Sequence, residues 1–494
     1  MTEPLWTDSD WTFPLIEKVY TEIEKIGVGE MKLDLYRNEL EIIGSEQMLD
    51  AYSSIGMPVF YKHWSFGKHF TRNHKMYSAG MQGLAYEIVI NSNPCIAYLM
   101  EENTMTMQAL VIAHAAFGHN HFFKNNSSFQ QWTDASSIID YLVFARDYIS
   151  KCEEREGRAE VEIFLDSCHA LMSYGVNRTK RPGKLSTAKE KERQRERDEF
   201  AQQRVNELFD RLLKSTVKEK EEIFPPEPEE NILYFCEKYA PDLKEWQREL
   251  IRIVRKISQY FYPQSQTKVM NEGCATYTHY RILTTMHDRG LITDGSYYEF
   301  IRSHTNVVFQ PGFDAARYSG INPYALGYAM MRDIARVCNN PTEEDRRWFG
   351  GKDFVGCGDD MAALRFAWAN FRDESFIRQY LSPRVIRDFG FFSVKDNHKE
   401  PNLTVSAIHD ERGFEQITEA LANQYEMHNL QPQLEVMKVD PKARTMTINY
   451  HNHRGRALQP KEIPTLMGHL KNLWGGNPVI LKDDKGNTVG TTTP

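Results

Sequence analysis

The stretch Ala113-His114-Ala115-Ala116-Phe117-Gly118-His119-Asn120-His121 sets imidazoles into an apolar, helix-like run. A second stretch, Asn271-Glu272-Gly273-Cys274-Ala275-Thr276-Tyr277-Thr278-His279, adds a carboxylate and a further imidazole in similar surroundings. Buried unpaired, such groups cost several kcal/mol, so a fold keeps them only with hydrogen-bonding partners or a metal. Glu272 and His279 fall about 20° from a common bearing on a helix that turns about 100° per residue. His114 and His119 lie about 140° apart on a regular helix, so the turn at Gly118 has to unwind for both to point inward. That spacing is less specific than His-Glu-x-x-His, whose i,i+4 geometry needs no adjustment.

The composition narrows the setting. In 494 residues, 41% are hydrophobic and 12% aromatic, enough to fill a sizeable core. A net charge of −8 argues against nucleic-acid binding, which normally shows as a basic excess. No apolar run approaches the roughly 20 residues of a membrane span, and the N-terminus, Met1-Thr2-Glu3-Pro4-Leu5-Trp6, lacks the basic and apolar regions of a signal peptide. Seven scattered cysteines without a Cys-x-x-Cys pair fit free thiols in a reducing compartment, so the cytoplasm is the expected location.

Helical periodicity runs over 11–26, 96–121, 134–151, 158–174, 232–239, 243–262, 269–287, 297–304, 323–337, 361–369 and 374–380. Between Arg178 and Glu230 mixed charges dominate, ending in Pro225-Pro226-Glu227-Pro228; this reads as a solvated helix and stiff loop. The last hundred residues change rhythm, with strands over 403–408, 434–439, 445–450 and 478–482 and helices over 414–425 and 460–474. The expected class is therefore α+β: a large mainly α-helical N-terminal region with a few short strands, then a C-terminal ferredoxin-like βαββαβ domain. The expected divisions are 1–177 and 231–395 as halves of the helical core, 178–230 as the charged insertion, and 400–494 as the ferredoxin-like domain.

The leading candidate for chemistry is a metal centre of His114, His119, Glu272 and His279, a donor set that suits zinc or iron. Its bland alternative is a group of hydrogen-bonded core histidines. A second candidate is Glu162, Asp166 and His169, on one face of a helix, as ligands or as groups orienting the imidazoles of the first site. Polar loops at 63–68, 91–94 and 319–324 read first as turns. A serine hydrolase is not expected, since no Gly-x-Ser-x-Gly elbow is present.

At these residues the chain resembles the SpoVR family, stage V sporulation protein R and its relatives in non-sporulating bacteria. The likeness runs from about Trp11 to Val489 and rests on long strings. They include His63-Trp64-Ser65-Phe66-Gly67-Lys68, the run from Gly83 to Pro94, Tyr98-Leu99-Met100-Glu101-Glu102-Asn103, and Phe122-Phe123-Lys124-Asn125-Asn126. Asn271-Glu272-Gly273, His279 and Ser303-His304-Thr305-Asn306 continue it. The resemblance implies a role in spore cortex formation or stress physiology, with a PrkA-type serine kinase and a von Willebrand-type protein as partners. It carries no secure enzymatic activity. Together with the residues it suggests a metal-dependent hydrolase, zinc rather than iron, acting on amide bonds of peptides or peptidoglycan precursors, with Glu102 or Glu87 as general base. The rival expectation is a non-enzymatic adaptor that docks the kinase.

Overall fold

The computed structural model describes residues 3–53, 57, 59–64, 68, 71, 87–178, 192, 195–196, 199, 224–312, 320–395, 401, 404–451 and 457–493. Most of the charged 178–230 insertion and parts of the 63–68, 83–94 and 319–324 strings lie outside the described residues. The chain is α+β, as its periodicities suggest, and forms two compact units. The first comprises residues 1–150 and 260–427, the second 151–259 and 428–494.

In the first unit, helix α1 (Phe13–Glu24) starts where the Thr12 hydroxyl accepts the Leu15 N–H and Pro14 occupies the first turn. Its Ile16, Val19 and Ile23 share one face and are buried. A three-stranded sheet follows, of β1 (Asn38–Ile43), β2 (Glu87–Ile90) and β3 (Cys95–Met100) in the order β1-β3-β2. β3 runs parallel to β1 and antiparallel to β2. Residues 96–100 were expected to begin a long helix and are strand instead. A short apolar run reads alike for a buried strand and a buried helix, and pairing on both edges settles it here. The helix starts only at α2 (Met105–Val111), where the Thr104 hydroxyl accepts the Met107 N–H.

Three further helices complete the heart of this unit: α3 (Lys268–Asp288), α4 (Asp294–Val307) and α5 (Pro323–Asn339). At the start of α3, the buried carboxylate of Asp373 accepts the N–H groups of Val269 and Met270, both at 2.9 Å. The helix is then gripped from two sides at glycines. A Cβ on Gly118 would lie 2.4 Å from the Ala275 Cα, and one on Gly327 would lie 2.2 Å from the Val269 carbonyl oxygen. Backbones can approach this closely only where side chains are absent.

The second unit holds a sheet of β6 (Gln433–Asp440), β7 (Thr445–His451), β8 (Val479–Asp483) and β9 (Thr488–Thr491), in that order. β6/β7 and β8/β9 are antiparallel, while β7 and β8 are parallel and joined through the helix Ile463–Leu473. Its make-up differs from the expected ferredoxin-like βαββαβ set. The strand expected at 403–408 is β5 (Thr404–Ala407), which pairs in the first unit with β4 (Ser393–Lys395). Alternating hydrophobicity marks a strand without naming its partner, and the short Thr-Val-Gly-Thr of β9 gives little signal.

Replacing Gly118 by Ala should lower unfolding free energy by about 1–3 kcal/mol in urea titrations, because the helix backbones must separate. Gly29→Ala is the control, since nothing lies within 4 Å of a Cβ there. Equal stability of the two variants would contradict the account of the crossing.

Candidate metal centre

α2 continues without a break into a π-helical segment, Ile112–His119. A π-helix bonds residue i to i+5, so side chains five apart return to nearly the same bearing. The unwinding expected at Gly118 is thus spread over the segment, and His114 and His119 enter one cleft. Their rings meet edge to face with centroids 4.7 Å apart. From α3, Glu272 Oε2 lies 3.5 Å from His119 Nε2 and 3.9 Å from His114 Nε2. From the start of β2, Glu87 Oε1 lies 3.2 Å from His114 Nε2. Donor atoms of Glu87, His114 and His119 all fall within 4.8 Å of one another. The cleft they line has a volume of about 810 Å³, with an apolar wall that includes Leu110, Val111 and Phe123.

The other ring nitrogens fix these imidazoles. His119 Nδ1 is 2.9 Å from Asn271 Oδ1, so it donates there and turns the Nε2 lone pair toward the carboxylates. His114 Nδ1 is 2.8 Å from His279 Nδ1, and His279 Nε2 is 2.9 Å from His304 Nδ1. His279 lines the cleft as expected, yet both of its nitrogens are engaged by other imidazoles. Its position suits an orienting partner of His114 rather than a ligand. His304 and Asn271 were missed as site residues. Only their place in the quoted strings pointed to them, because α4 carries His304 far from the other histidines in sequence.

The remaining expected residues lie elsewhere. Glu102 is exposed, accepts the Ser45 N–H at 3.3 Å and does not line the cleft. Glu162, Asp166 and His169 stand on the helix Arg158–Ala170 of the second unit, where Glu162 pairs with Arg158 at 3.1 Å. His121 is buried against the backbone of Asp34 and the ring of Trp368.

The family model described as SpoVR like protein matches residues 10–430, and that of the SpoVR-like C-terminal domain matches 432–485. An Escherichia coli (strain K12) relative, the uncharacterized protein YcgB, is 53% identical over 485 residues, covering 97% of this chain and 94% of the relative. No solved structure matches the chain.

The electrostatics of the cleft suit a cation. Oε2 of Glu87 and Oε2 of Glu272 are buried and, among the described residues, accept no hydrogen bond, which leaves lone pairs for an ion. Burial, reinforced by the charge of Glu272, pushes the Glu87 carboxyl well above its usual range. Burial, with the neighbouring imidazoles adding, holds His114 and His279 well below theirs. His304 is lowered to about 4 by burial and then by Arg332, and His121 to about 4 by burial. At neutral pH these rings are therefore neutral, the form that binds metal.

A depressed histidine contributes stability that is present above the unfolded value near 6.5 and lost as pH falls toward its folded value. Raised carboxyls act oppositely: Glu87, and Asp373 at about 7, contribute most at low pH and lose that contribution as pH rises. Four imidazoles outweigh two carboxyls between pH 6.5 and 4. The urea midpoint of the metal-free chain should fall across that window; a flat or rising midpoint would contradict the burial of neutral histidines.

Proposed function

The chain belongs to the SpoVR family, and from that premise and the cleft we propose a metal-dependent hydrolase that cleaves amide bonds. One observation carries the reading: the Nε2 atoms of His114 and His119 converge with the carboxylates of Glu87 and Glu272 inside a cleft with an apolar wall. Two imidazoles and a carboxylate serve both zinc hydrolases and non-haem iron sites, and the hydrolytic reading takes zinc. His114, His119 and Glu272 would hold the ion, and Glu87, at the cleft wall, would act as general base.

When bound, such a cation polarises a carbonyl and brings the pKa of a coordinated water toward neutrality. Glu87 Oε2, free of hydrogen bonds, takes the proton from the attacking water and later delivers it to the departing nitrogen. Asn271 and His279 keep the two ligand rings in the tautomer that leaves Nε2 open. The apolar wall lowers the dielectric on its side of the cleft, which strengthens charge interactions against it.

The family setting supports peptide or peptidoglycan-precursor amides as substrates, in spore cortex formation or stress physiology, alongside a PrkA-type kinase and a von Willebrand-type protein. Among the described residues no helix is long and apolar enough to cross a membrane. Free, mostly buried thiols support a cytoplasmic setting.

Elemental analysis of protein purified without chelator tests the reading. About one zinc per chain is expected in the wild type and in Glu87→Gln, and almost none in the His114→Ala/His119→Ala double variant. A metal-free wild type would favour the adaptor reading. Loss of zinc in Glu87→Gln would make that carboxylate a ligand instead of a base. His279→Ala should retain zinc with affinity weakened about 10–100-fold in chelator competition; complete loss would restore it as a ligand.

A further inference from the structure

Among the described residues, three charged side chains line the cleft besides its histidines: Glu87, Glu272 and Lys268. Lys268 opens α3 four residues before Glu272, so the two share a helix face about 6 Å apart. Its side chain is exposed at the cleft, and among the described residues no ion pair engages it. If, as proposed above, a divalent ion is held by His114, His119 and Glu272 with Glu87 beside it, its charge balances those of the two carboxylates. Among the described residues Lys268 is then the uncompensated charge of the lining. A ligand carrying one negative charge, one helical turn from the ion, completes neutrality there. Val89, Met107, Leu110, Val111, Phe123 and Phe261 add apolar surface to the same lining.

We propose that the cleft takes an N-acylated amino acid, or a short peptide with a free C-terminal carboxylate, and hydrolyses the amide nearest that carboxylate. The α-carboxylate meets the Lys268 ammonium, and the short reach from it to the adjacent amide carbonyl places that carbonyl beside His114, His119 and Glu272. The acyl group and the amino-acid side chain lie on the apolar wall. Water oxygen adds to the carbonyl carbon, the C–N bond breaks with its electron pair on nitrogen, and nitrogen takes the proton that Glu87 accepted. The products are a carboxylate and a free amino acid.

This inference rests on the metal reading, and its test separates the two. Zinc content of the full-length chain is measured first. N-benzoyl-phenylalanine and its C-terminal carboxamide are then titrated calorimetrically into the loaded protein. The acid should bind about tenfold more tightly than the amide, as a charge-assisted contact gives. The preference should vanish in Lys268→Gln and persist in Lys268→Arg. Zinc uptake with no preference for the acid, or a preference that survives in Lys268→Gln, overturns this inference alone. A chain that takes up no zinc overturns the reading beneath it and this one together.

Discussion

The whole site hangs on how closely two helical backbones approach. Where the π-helical segment crosses α3, the absent side chain of Gly118 lets its backbone settle against Ala275, and Cys274 Sγ reaches the Gly118 carbonyl at 3.7 Å. On the far side of α3, Gly273 meets Gly327 of α5 in the same manner. Close packing of this kind transmits position stiffly, because interiors as dense as crystals leave little room to slide. The imidazoles of one backbone and the carboxylate of the other thus inherit a separation set by glycines that never touch a ligand.

Holding two carboxylates and four imidazoles in an apolar interior is expensive. Each buried oxygen left without a partner costs about 1–3 kcal/mol. The fold meets part of that cost locally, through the His114–His279–His304 chain and the His119–Asn271 bond. Asp373 also anchors the first turn of α3, fixing the rotation at which Glu272 and His279 emerge. What stays unmet are the free carboxylate oxygens of Glu87 and Glu272. Those are the atoms a cation would satisfy, so local instability and proposed chemistry share one cause.

Much of this was legible in the residues. Apolar periodicity located most helices, and polar groups in apolar stretches marked His114, His119, Glu272 and His279 as neighbours in space. The limits have physical reasons. A period argument assumes regular winding, so it flagged the His114–His119 spacing as awkward without foreseeing the π-helical segment that resolves it. Strand pairing is non-local, which is why β3 looked like helix and β5 seemed to belong to the C-terminal sheet. Glu87 and Glu102 are equivalent on paper as bases, yet of these two Glu87 faces the cleft, while Glu102 bonds the Ser45 amide. Contacts between distant segments carry no local signature, and so His304 went unassigned.

The central claim is that His114, His119 and Glu272 share one ion. A crystal structure of the full-length protein, with diffraction recorded on both sides of the zinc absorption edge, addresses it most directly. An anomalous peak is expected within bonding distance of the Nε2 atoms of His114 and His119 and of a Glu272 oxygen, with His279 outside that distance. A fully occupied crystal with its peak elsewhere, or zinc-supplemented crystals with none, would contradict it.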